Sequence, residues 1–157
     1  MKMIKRNQGI SLTTLLFFLF FACNRAEIKE EVVTIVDKKY NKIEKGIIEN
    51  GKREGYWVTF DTNYVIQYDN QYKNDIPNGK TTHFYNGAIS MEYENRNGKM
   101  DGKWVIYHEY PTIYTQGNMK MDERVGEWRI YTKKGILNRI VLFEKDTFKI
   151  ILDNQLE

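Results

Sequence analysis

The sequence has one cysteine, Cys23, so no intrachain disulfide can form and stability has to come from packing. Histidine is nearly as scarce. His83 and His108 are the only two, they stand four and six positions past their nearest upstream repeat glycines, and neither belongs to a cluster at metal-ligand spacing. No metal site is expected. Beyond the first 22 residues serine occurs once, at Ser90, with no Gly-x-Ser-x-Gly elbow around it. Carboxylates are plentiful, but no pair stands out as a general acid and base. With no convergent nucleophile, base or metal, the chain reads as non-enzymatic and needs no cofactor.

The apolar stretch from Ile10 to Ala22 falls short of the about 20 residues that a spanning helix needs. Lys2, Lys5 and Arg6 precede it and the small residue Ala22 closes it, which is the order of a secretory signal peptide over residues 1–22. "FFAC" resembles the lipobox of bacterial lipoproteins, although Phe20 stands where that family usually has leucine. The resemblance implies lipid on the Cys23 sulfur, a membrane-anchored protein of the bacterial cell envelope, and a polar tether over residues 23–30. Of 24 Lys and Arg, three lie in residues 1–22 beside no Asp or Glu, so the remaining chain carries 21 basic and 21 acidic side chains. A neutral balance gives no drive toward nucleic acid.

What is abundant is pattern. Gly55, Gly79, Gly102 and Gly126 are spaced 24, 23 and 24 residues apart, and an aromatic follows each five positions later: Phe60, Phe84, Tyr107 and Tyr131. Two positions after each glycine come Trp57, Thr81, Trp104 and Trp128, so all three tryptophans share one phase of one period. Turn-rich stretches precede the glycines, among them "NGKRE" and "NGKMD", and β-formers such as "YVIQY" and "AISMEY" follow. Asn86-Gly87 adds a hairpin signal within the second repeat. One repeat therefore reads as strand, turn, strand, turn. A degenerate copy over 31–54, repeats starting near 55, 79, 102 and 126, and a closing strand at "DTFKIIL" place an all-β domain over residues 31–157.

The combination of G-x-W-x-x-[YF] with an N-G-K-x-x-G turn over about residues 46 to 145 resembles the MORN repeat, and more closely bacterial YwqK-like antitoxin proteins. That resemblance implies a single meandering antiparallel sheet of stacked β-hairpins, preceded here by the signal-peptide helix. Its functional implication is a binding or scaffold module with a protein or envelope-polymer partner, or alternatively an antitoxin or immunity-type protein acting on a co-expressed toxin. Thr81 in place of tryptophan, and the missing N-G-K turns before Gly79 and Gly126, make two copies irregular.

Aromatics make up 14% of the chain, eleven of them tyrosines, as expected where a sheet lacking helical cover buries surface by stacking flat side chains. Strand alternation puts Thr81 and His83 on one face between Trp57 and Trp104. These four are the candidate binding residues. The tryptophan missing at position 81 would leave a notch with a polar floor and aromatic walls, unless neighbours such as Met91 or Tyr93 fill it. An open notch would accept a tryptophan at position 81 without loss of folding.

Overall fold

The computed structural model describes residues 30–145 and 147–155. The signal segment, Cys23 and the tether up to residue 29 lie outside the described residues. Those described form one open sheet of eleven strands in strict sequence order. Its first half is β1 (Glu30–Asp37), β2 (Lys42–Glu49), β3 (Lys52–Asp61), β4 (Ile66–Lys73) and β5 (Ile76–Tyr85). Then come β6 (Ala88–Arg96), β7 (Lys99–Glu109), β8 (Thr112–Lys120), β9 (Glu123–Tyr131), β10 (Leu137–Glu144) and β11 (Thr147–Asp153). Every neighbouring pair is antiparallel. The all-β meander expected from the repeat is therefore present, with β3, β5, β7 and β9 each carrying a repeat glycine.

The glycines work inside bulges. Between β4 and β5, Asn70 pairs with Thr81 and Tyr72 with Pro77, so β5 spends two more residues than β4 on this stretch. The same excess recurs between β2 and β3, β6 and β7, and β8 and β9. Gly79 and Gly102 lie within it at φ of 120° and 133°, which side chains rarely adopt. A Cβ would also strike Gln71 from Gly79 and Glu94 from Gly102. Periodic glycine is thus a backbone requirement of the bulge.

The turns of the adjacent rim explain the irregular repeats. Asn50-Gly51, Asn74-Asp75, Asn97-Gly98 and Met121-Asp122 all have both residues at positive φ, between 51° and 82°. This is the I′ geometry that matches strand twist, and it usually selects glycine second. Aspartate replaces glycine for a reason that lies one repeat back. Asp75 N–H donates to the Arg53 carbonyl (3.1 Å), while Arg53 N–H donates to Asp75 Oδ1 (2.8 Å). Asp122 and Met100 repeat the reciprocal pair at 2.9 and 2.7 Å. Gly98 N–H likewise donates to the Pro77 carbonyl (2.8 Å), but proline has no N–H to return. A carboxylate is present where the earlier strand offers a donor and is dispensed with where it offers none.

Packing is concentrated on the face that carries the tryptophans. Trp57 and Trp128 are 2% and 3% exposed although no second layer among the described residues covers them. Each indole lies on a glycine eleven residues earlier in sequence, Gly46 under Trp57 and Gly117 under Trp128, where a Cβ would overlap the ring. Above them Arg53 stands over Trp57 at 4.8 Å and Arg124 over Trp128 at 4.6 Å, contacts worth about 0.5–1 kcal/mol at exposed sites. Arg53 also pairs with Glu44, a 6% exposed carboxylate, at 3.3 Å. Trp104 meets Trp128 at a ring distance of 5.0 Å, and Met119 and Val141 complete this core.

Gly46→Ala and Gly117→Ala should each destabilise the sheet by about 1–3 kcal/mol, as overpacking does. An ordinary Gly→Ala change stabilises slightly by restricting the unfolded chain, so the sign is diagnostic. Urea unfolding that finds either variant as stable as the parent contradicts the Gly-Trp contact.

Candidate functional site

The four candidate residues lie on one face, as alternation requires. Cross-strand partners run from Trp57 through Asn70, Thr81 and Tyr93 to Trp104. One level along the strands, Thr59, Tyr68, His83, Met91 and Ile106 form a parallel row. The space between the two tryptophans is occupied. Thr81 is only 1% exposed: its hydroxyl donates to Asn70 Oδ1 (2.7 Å) and accepts from Asn95 Nδ2 (2.8 Å). His83 is half-buried between Tyr68 and Tyr93, with ring centroids 5.5 and 5.7 Å away. Trp57 is buried and Trp104 half-buried.

The notch is therefore filled, by the neighbour Tyr93 and by an Asn-Thr-Asn relay. The reason lies in the strand before. Tryptophan at this phase is accommodated in two copies by a glycine eleven residues earlier, and for position 81 that place is held by Asn70. For Trp104 it is Tyr93, and the Trp104 indole instead meets Trp128 across Gly117. Asn70 and Thr81 thus replace glycine and tryptophan as a matched set.

Burial holds the His83 imidazole below its usual range, against the opposing pull of Asp69. On the other face Tyr107 donates to Glu92 Oε2 (2.8 Å), and Lys80 pairs with the same carboxylate. Burial and that hydrogen bond push the Tyr107 phenol up to about 12. Burial works to raise Glu92, but its bonds to Lys80 and Tyr107 outweigh this and leave it below the usual carboxylate range. These are strand-pairing contacts that fix side chains of β5, β6 and β7 to one another.

A more open site lies farther along the tryptophan face, at the rim where β9 turns into β10. A recess of about 560 Å³ is lined by His108, Tyr114, Ile130, Lys133, Lys134 and Arg139, among others. His108 and Tyr114 make one wall, with ring centroids 4.8 Å apart. His108 Nε2–H donates to the Tyr131 carbonyl (3.0 Å), which directs its Nδ1 elsewhere. The loop carrying both lysines is tied down by Thr132, whose N–H donates to the Ile136 carbonyl and whose hydroxyl accepts from Ile136 N–H. Arg139 pairs with Asp153 at 2.9 Å. None of these residues stands out by spacing, because they converge from four strands and a loop. Only their place at the same rim unites them.

Among the described residues no group of His, Cys, Asp and Glu is placed to hold a metal ion. No family model matches the chain, and no curated protein matches it.

Thr81→Trp should lose about 2–3 kcal/mol through overpacking and the unpaired Asn70 and Asn95 amides. Asn70→Gly/Thr81→Trp should recover part of that loss, and a double-mutant cycle with no coupling would refute the matched-set account. A second expectation concerns pH. Because His83 resists protonation when folded, its contribution is complete above the ordinary imidazole value of 6.5 and is lost as pH falls through it toward the lowered folded value. Melting temperature should drop between about pH 7.5 and about pH 5.5, and His83→Phe should flatten that slope. An unchanged slope in the variant assigns the effect to other groups.

Proposed function

We propose that this chain is a lipid-anchored, non-enzymatic binding or scaffold module of the cell envelope, built of MORN-like repeats. The observation that carries the reading is a broad sheet fixed by its own bulges and turns while large aromatic side chains stand in solvent along it. Tyr56, Tyr64, Tyr85 and Tyr110 are 64%, 65%, 73% and 52% exposed. Tyrosine supplies contact area with a polar edge at small loss of side-chain freedom, which suits a recognition surface. The lipid on Cys23 rests on the sequence "FFAC", and two acyl chains or more suffice for stable anchoring. The bound partner is then a protein or a polymer of the envelope.

Metabolic labelling with a fatty acid should mark the protein, and Cys23→Ala should move it from the detergent phase to the aqueous phase. Absence of label, or unchanged partitioning of the variant, removes the anchor. Crosslinking in intact cells followed by purification should recover an envelope component. Recovery of a co-encoded toxin instead shifts the reading to an immunity protein.

A further inference from the structure

We propose that the rim recess between β7 and β10 binds an acidic polysaccharide, a linear glycan bearing carboxylates. The proposal names a ligand for the binding-module reading above, and it does not depend on the lipid anchor.

Charge supplies the first argument. Lys133, Lys134 and Arg139 line the recess. The carboxylate of Asp153 is paired with Arg139, and no ion pair among the described residues engages either lysine. Two ammonium groups on a braced loop are therefore available to an anion.

Shape supplies the second. A volume of about 560 Å³ lies in the range of small-ligand sites. A further recess of about 410 Å³ shares Tyr131, Lys133 and Lys134 with it and is also lined by Pro111 and Gly135. Two recesses with both lysines in common suit a ligand that carries several anionic units more than one small molecule.

The third argument selects the class of chain. Each of β7, β8, β9 and β10 is paired on both sides, so no backbone edge is offered here for a peptide to add as a strand. What is offered is the His108-Tyr114 ring wall and the apolar floor of Ile130, beside the cations. Sugar rings present flat C–H faces to aromatic walls while their carboxylates reach the lysines. Bare phosphate would engage the cations but gain nothing from Tyr114.

The test uses the full-length protein in detergent micelles and isothermal titration with oligogalacturonate, a neutral glucan oligomer and inorganic polyphosphate. Oligogalacturonate should bind, more weakly as salt rises, and the neutral oligomer should not. Lys133→Gln/Lys134→Gln should weaken binding roughly fivefold to tenfold, in keeping with two exposed charge contacts. Tyr114→Ala, a half-exposed position, should weaken it independently. No oligogalacturonate binding by the folded protein, or binding unchanged in both variants, overturns the site. Polyphosphate binding as tight, and retained in Tyr114→Ala, overturns the sugar assignment in favour of a simple anion patch. A protein that binds oligogalacturonate yet fails the fatty-acid labelling above loses its anchor and keeps this site.

Discussion

An indole lying on a glycine of the preceding strand is the contact on which this sheet depends. A single-layer sheet has no facing layer to supply a core, so apolar area can be removed from water only by side chains lying down on their own sheet. A large ring can lie down only where its neighbour has no side chain. Gly46 and Gly117 provide that space, and Trp57 and Trp128 are almost fully buried as a result. The guanidinium groups of Arg53 and Arg124 then close the outer side of the rings, doing with a cation what a second layer would do with aliphatic carbon.

The central repeats solve the same problem with different chemistry. Where Asn70 occupies the glycine position, the following strand carries Thr81, and a hydrogen-bonded relay to Asn95 replaces the ring. Polar groups buried this way are tolerated because each finds a partner. One level along the strands His83 lies between the rings of Tyr68 and Tyr93, so the sheet changes from an indole-based to a hydrogen-bonded interior and back within a few strands.

Much of this was legible in the chain itself, and the reasons are local. The phase of Gly55, Gly79, Gly102 and Gly126 identified strands and period because a positive φ inside a bulge leaves a mark at one residue. Asp75 and Asp122 looked like lost turns because the hydrogen bonds that select them come from Arg53 and Met100, one repeat away. Thr81 looked like a gap because its filling depends on Asn70 and Asn95, whose alignment with it is set by bulges rather than by a uniform two-residue alternation. The rim recess left no trace, since His108, Tyr114, Lys133 and Arg139 belong to different strands and loops and follow no common interval.

The strict sequence order of the strands has a mechanical meaning. Each interior strand is bonded only to its immediate predecessor and successor in the chain, and the turn clasps join only adjacent repeats. Tension drawn through one end and directed across the strands therefore loads one ladder at a time, and the sheet peels instead of shearing as a block. A hairpin of 23 or 24 residues lengthens the chain by roughly 80 Å when released, while the hairpins behind it stay folded. Such a molecule can yield to traction by paying out slack in discrete steps and can rewind when the load is gone.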